Sequence, residues 1–264
     1  MDAYRLVVEA RERGEEVAVC TIVRSQGSTP RRTSSKMLVY SDGRTNGSIG
    51  GGELESRILA AAHDSLQSGK PQILKYSMTD PERGDPGVCG GSLEIYVEPV
   101  FPEPMIVVAG GGHVGKAVVH LAHWLGYRVA LTDDRVEFCS AETVPGADAY
   151  YCCPLSRLPE LLPVNRHSYL VLTTRNVMVD VEGLPALLDT PAAFIGVIGS
   201  KRRWTTTQEK LLEKGILQEK LNRIVSPMGL ELNAETPEEI AVSILAEITM
   251  LRRGGSGNRM GGFV

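Results

Sequence analysis

Val107-Val108-Ala109-Gly110-Gly111-Gly112-His113-Val114-Gly115 decides how the second half of this chain folds. The apolar run Met105 to Ala109 reads as a buried strand, and Val114 to Leu125 as a helix. Between them Gly110, Gly112 and Gly115 match G-x-G-x-x-G. In that motif the first glycine makes a tight turn, the second lets a phosphate approach the backbone, and the third lets helix and strand pack closely. His113 opens the helix, whose first N–H groups have no partner within the helix and favour an anion. A second strand, Arg128 to Thr132, ends in Asp133-Asp134, where a carboxylate such as Asp133 suits a ribose hydroxyl. Strand, turn, helix, strand and acid in that order predict a Rossmann unit.

Outward from this motif the pattern continues. Tyr169 to Thr174 and Phe194 to Ile198 read as further strands, and Val181 to Leu188 and Lys201 to Lys214 as helices. Thr236-Pro237-Glu238-Glu239 starts a last helix, with threonine as N-cap and proline in the first turn. Alternating strands and helices predict a parallel sheet covered on both faces. Towards the amino terminus, Val17 to Val23 and Met37 to Tyr40 read as strands, Glu53 to Ser68 as a helix, and Ile73 to Met78 and Leu93 to Val97 as strands. Pro99, Pro102 and Pro104 punctuate the join. The expected fold is α/β: a small amino-terminal α/β domain (1–99), a proline-rich linker (100–104), a Rossmann-like domain with a parallel sheet (105–253) and a glycine-rich tail (254–264).

Composition excludes several classes. Net charge is -4 and aromatic residues make up 5%, which argues against nucleic acid as a partner. Charged residues crowd the first sixteen positions, so no signal peptide is read there, and no apolar run approaches the roughly 20 residues that span a bilayer. The expected location is the cytoplasm, without membrane attachment. Five cysteines, none in C-x-x-C spacing, read as reduced thiols rather than a disulfide frame or a zinc site.

Several segments together resemble the xanthine dehydrogenase accessory proteins, the XdhC/CoxI family. They are Gly27-Ser28-Thr29-Pro30-Arg31-Arg32, Gly47-Ser48-Ile49-Gly50-Gly51-Gly52-Glu53-Leu54-Glu55, Cys89-Gly90-Gly91, Phe194 to Lys201, Ser226-Pro227-Met228-Gly229-Leu230-Glu231-Leu232 and Thr236 to Ile244. The resemblance implies a carrier that binds the molybdenum cofactor (molybdopterin), supports its sulfuration and delivers it to an apo xanthine dehydrogenase-like molybdenum hydroxylase. A cysteine desulfurase is the sulfur-supplying partner that such a role implies. The chain departs from the family pattern in two places. Glu53 stands where many members have cysteine, and Thr174-Arg175-Asn176 stands where members often have histidine, while Asp180 resembles the family's aspartate.

For such a cargo the residues divide by chemistry. Gly110, Gly112, His113 and Gly115 offer backbone donors to a phosphate, and Gly50 and Gly51, opening another helix, offer a second anion or ring-edge site. Arg31 and Arg32 present planar forks suited to phosphate or pterin oxygens, or stand solvated. Ser200 lies at a strand end, as a ligand contact or an N-cap. Glu53 is either a polar contact or a carboxylate favoured by the helix dipole. Cys89, beside two glycines, is the thiol best suited to molybdenum or a persulfide, with a buried packing role as the alternative. The glycine turn alone does not choose among molybdopterin, NAD(P), another nucleotide and no ligand. An NAD(P)-dependent oxidoreductase and a nucleotide-binding assembly subunit therefore stay open, although no Tyr-x-x-x-Lys run beside a serine is seen. A homodimer is one arrangement that would bring Cys89 of one copy beside Gly112 of another.

Overall fold

The computed structural model describes residues 2–78 and 90–261. The chain divides into two compact units, Met1–Pro102 and Glu103–Val264. The first contains α1 (Ala3–Glu12), β1 (Val17–Gln26), β2 (Lys36–Tyr40), β3 (Thr45–Gly47), α2 (Gly52–Ser68), β4 (Gln72–Ser77) and β5 (Ser92–Val100). Its five strands form one antiparallel sheet in the order β3-β2-β1-β5-β4. Both faces are covered. Ala18, Cys20 and Ile22 of β1 point towards the cluster built on Leu54, Ile58 and Ala62 of α2. Val17 and Val19 point the other way, into a cluster with Ala3 and Ala10 of α1. That explains why β1 begins as an uninterrupted apolar run, since alternation fades when both faces are buried. β5 carries through Pro99, which lies beyond Val97, the last residue paired with β4. The missing N–H is tolerated there because one side of the strand is already open.

The second unit contains β6 (Met105–Ala109), α3 (His113–Trp124), β7 (Arg128–Thr132), β8 (Ala149–Tyr151), α4 (Leu158–Leu161), β9 (Ser168–Leu172), α5 (Val177–Leu188), β10 (Phe194–Val197), α6 (Lys201–Glu213), α7 (Gln218–Leu221), β11 (Ile224–Val225) and α8 (Pro237–Arg253). Six strands pair in parallel in the order β11-β10-β9-β6-β7-β8. This is the doubly wound Rossmann arrangement expected from the glycine turn. Successive side chains of the central strands serve opposite layers. Met105, Val107 and Ala109 pack with Val181, Leu184 and Leu211 on the α5 and α6 face. Ile106 and Val108 pack with Val118, Ala122, Ile244 and Ile248 on the α3 and α8 face. The sheet is thus sealed on both sides, and its carboxyl edge is left for chemistry. Strand order reverses between β6 and β9, and in such sheets ligands enter the crevice outside the carboxyl ends at that reversal.

α8 closes one layer and starts with the full capping box that its sequence announces. The Thr236 hydroxyl accepts from the Glu239 N–H at 3.2 Å, and the Glu239 carboxylate accepts from the Thr236 and Glu235 N–H groups at 3.1 and 2.9 Å. Thr236→Ala is expected to lower the stability of the chain by about 1 kcal/mol. Urea denaturation checks this, and an unchanged midpoint would show that the last helix is held by packing alone.

Candidate functional site at the carboxyl edge of the parallel sheet

The turn after β6 is glycine because three close approaches require it. Gly110 has φ +111°, and a Cβ there would lie 2.6 Å from the Thr173 carbonyl. A Cβ on Gly111 would lie 2.0 Å from the Phe138 carbonyl, and one on Gly115 only 1.8 Å from the Gly110 carbonyl. Thr173 reinforces the approach by donating its hydroxyl to the Gly110 carbonyl at 2.8 Å. Gly112 is open and serves as N-cap of α3 without any side-chain cap. His113 is exposed at the helix start. The N-termini of α5, α6 and α8 are instead capped by the side chains of Asn176, Ser200 and Thr236.

Asp133 is buried at the end of β7, and its carboxylate is already engaged. It accepts from the Gly111 N–H at 2.9 Å, from the Arg135 N–H at 3.0 Å and from the Arg135 guanidinium at 2.9 Å through both oxygens. The Arg135 guanidinium in turn lies 3.9 Å over the Phe138 ring. A dinucleotide in the ordinary Rossmann pose needs a turn N–H for its pyrophosphate and this carboxylate for its ribose. Here that carboxylate is already held by the Gly111 N–H and by Arg135.

Beside this knot, a crevice of about 180 Å³ opens between the ends of β6, β7, β8 and β9 and the first turns of α5. Leu155, Pro154, Met178 and Val179 line it with apolar surface, and Asp134, Arg175, Asn176 and Glu182 with polar groups. Arg175 makes a two-pronged ion pair with Asp134, at 2.6 and 2.9 Å, across the sequence gap between β7 and β9. The hydrogen bonds from Arg175 hold the Asp134 carboxyl below the usual carboxylate range, and those to Asp134 raise Arg175. Cys153 also lines the crevice. Cys139, nearby in the fold, accepts the Cys152 thiol on its carbonyl at 3.0 Å, and burial followed by its contact with Cys152 pushes its own thiol up to about 12.

Below the crevice, Asp180 is fully buried. It accepts from the Thr174 hydroxyl and, at 2.6 Å, from the Arg203 guanidinium, which also donates to the Thr174 hydroxyl and carbonyl at 2.8 and 3.1 Å. Burial raises the Asp180 carboxyl, and Thr174 and then Arg203 oppose the rise. The network ties the ends of β9 and β10 together, since Ser200, the α6 N-cap, accepts from the Arg203 N–H at 3.2 Å.

The amino-terminal unit gathers its own motif residues. Gly27-Ser28 lies against Gly90-Gly91, so closely that a Cβ on Gly91 would be 2.3 Å from the Ser28 carbonyl. Gly50 backs onto Pro30, and Gly51 caps α2 through its backbone at φ +94°. Glu53 pairs with Arg57 at 2.5 Å on the same helix, and Ser48 donates to Glu55 at 2.6 Å. Arg31 and Arg32 are exposed, with Arg31 on the rim of an open depression shared with Tyr4, Lys36 and Ser48. Cys89 lies outside the described residues.

The fold therefore brings Gly110 and Asp133 to one crevice, with Gly112, His113 and Gly115 in the adjoining turn and helix. Ser200 sits one strand further along the same edge, and Gly50, Gly51, Glu53, Arg31 and Arg32 belong to the other unit. The sequence points to Asp134 only as the neighbour of Asp133 and to Arg175 only as a departure from a family pattern, and it does not join the two. Their shared position after two parallel strands was the signal that could have joined them.

The fold and this crevice define a two-unit protein with a Rossmann domain whose glycine turn is bonded to its own acidic partner. A family model described as the XdhC Rossmann domain matches residues 106–248, one described as the XdhC and CoxI family matches residues 10–77, and the chain belongs to that family. Its relatives include the uncharacterized protein YqeB of Escherichia coli K12, 31% identical over 98% of this chain and 48% of the relative. A probable xanthine dehydrogenase component from Bacillus subtilis 168 is 28% identical over 61% of this chain and 47% of the relative. The chain thus spans about half the length of these two. The molybdenum cofactor insertion chaperone PaoD of Escherichia coli K12 is 23% identical over 94% of this chain and 87% of the relative. A crystal structure described as a xanthine dehydrogenase from Bacillus halodurans shares the fold, with a TM-score of 0.51, 20% identity and 96% of each chain covered. No helix among the described residues is long and apolar enough to cross a membrane.

Proposed function

We propose that this chain is a maturation accessory protein that holds the molybdenum cofactor, supports its sulfuration and hands it to an apo xanthine dehydrogenase-like hydroxylase. The observation that carries the reading is the crevice at the strand-order reversal, which sets apolar walls beside Arg175, with Cys153 in its lining. A pterin with a phosphate tail and a sulfur-bound metal calls for these three kinds of surface: an apolar wall, a planar cation and a soft donor. The names of PaoD and of the Bacillus subtilis relative point the same way. The Asp133 carboxylate, the group that would meet the ribose of NAD(P), is already held by Gly111 and Arg135, which argues against that ligand.

The test is anaerobic purification from a host that makes the cofactor, followed by measurement of bound molybdenum and oxidised pterin. Purified apo-hydroxylase is then mixed with the loaded chain. The expected result is both metal and pterin above the level of an unrelated control protein, and client activity that depends on the loaded chain. Absence of both enrichment and activation would overturn the reading. In a parallel titration, nicotinamide fluorescence should not saturate; saturation would favour an oxidoreductase.

A further inference from the structure

We propose that the Asp134–Arg175 pair is an internal stand-in for a ligand phosphate, and that a phosphate ester carrying a flat ring enters the crevice by displacing Asp134 from Arg175. This deepens the reading of the crevice as the ligand site and rests on it. It makes no use of the metal.

The charges of the crevice divide into committed and exchangeable ones. Asp133 has a side chain only 2% exposed and is held by a backbone N–H and by Arg135, which itself lies on Phe138. That pair stays in place. Arg175 and Asp134 are each 38% exposed, come from different strand ends and meet through both guanidinium prongs. A phosphate offers the same two-oxygen face to guanidinium that the carboxylate does. Because the pair is open to water, exchanging its anion costs little. The remaining lining groups define the rest of the ligand. Leu155, Met178 and Val179 offer apolar surface to a ring.

Removing one acidic group from the pocket without disturbing its neighbours should strengthen binding through one arginine. Calorimetric titration of the full chain with AMP as probe tests it, with adenosine and inorganic phosphate as separate arms. Asp134→Asn is expected to bind AMP about threefold or more tighter than the parent chain, the range set by losing one half-exposed ion pair. Arg175→Gln is expected to bind it at least about tenfold more weakly, as for loss of a charged hydrogen-bonding partner. The double variant should match Arg175→Gln, because without the arginine Asp134 competes with nothing. Adenosine should respond to neither substitution. Glu182→Gln removes the same charge from the same crevice, so it separates exchange from a general field effect.

If Glu182→Gln tightens AMP as much as Asp134→Asn, or if Asp134→Asn shows no saturable binding, the exchange is wrong. A wild-type response in Arg175→Gln also overturns it. Unchanged circular dichroism and thermal midpoints exclude misfolding as the cause. If these shifts appear while no molybdenum or pterin co-purifies, the exchange stands and the cargo proposed above does not.

Discussion

Gly115→Ala is expected to destabilise the carboxyl-terminal unit by about 2–3 kcal/mol, although alanine is ordinarily the better helix residue. Two effects compete at this position. Within a helix, replacing glycine by alanine gains about 1 kcal/mol by reducing the freedom of the unfolded chain. Against that, the new Cβ would stand 1.8 Å from the Gly110 carbonyl and 2.9 Å from the Thr173 hydroxyl. The first obstacle is backbone, so no side-chain rotation relieves it, and α3 must move off β6. That movement would disturb Val118 and Val119, which are fully buried against Ile106 and Val108. The collision therefore outweighs the helix gain. Gly112→Ala is the control, because a Cβ there meets nothing within 4 Å. It should stay within about 1 kcal/mol of the parent, the range of N-cap effects. Denaturant unfolding of both variants decides the matter. Equal stability of Gly115→Ala and the parent would mean that the turn is looser than the close approach implies.

Arg203→Leu is expected to cost about 3–5 kcal/mol near neutral pH, because it strands a carboxylate inside the protein. Asp180 has no exposed surface, and after the substitution only the Thr174 hydroxyl would remain to it. The sign of the pH dependence follows from the direction of the Asp180 shift. Burial already raises its folded-state pKa, and Arg203 is one of the groups opposing the rise, so its removal raises the value further. A carboxyl whose folded pKa exceeds its unfolded one binds more protons when folded. Stability then falls as pH rises through the window between the two values. The deficit of Arg203→Leu relative to the parent should accordingly shrink as pH is lowered from 8 towards 5. Adding Asp180→Asn should recover much of the loss, since the buried charge is then gone. Urea melts of the three proteins at pH 5 and 8 measure this. An equal deficit at both pH values, unrelieved by Asp180→Asn, would show that Arg203 contributes packing and not charge compensation.

Much of the fold was legible in the sequence because it rests on local, periodic signals. The apolar strand runs, the glycine turn and the Thr236 capping box each act within a few residues. The structure keeps all three, with β6, α3 and α8 where the patterns place them. Where reading and structure differ, either a local cap or a longer-range contact is the cause. α5 begins at Val177 rather than Val181, because Asn176 accepts from the Met178 and Val179 N–H groups and starts the helix a turn earlier. β11 is two residues long and exists only through its pairing with β10. In the amino-terminal unit, α1 leaves its larger apolar residues Tyr4 and Val8 exposed, and Ala3 and Ala10 make the buried contact.

The candidate site divides along the same line. By itself the sequence determined the glycines of the turn and the carboxylate expected to face it, since turn conformation and strand-end position are local properties. Only the tertiary structure decided that Asp133 would bond to Gly111, that Arg175 would reach Asp134, and that Arg203 would neutralise Asp180. Those pairs join residues 22, 41 and 23 positions apart. Pattern reading along the chain cannot see them, because parallel strands bring their carboxyl ends together only after the intervening helices have crossed the sheet. The chemistry of the crevice is settled by which charges already hold one another there, and that pairing is a property of the folded sheet edge.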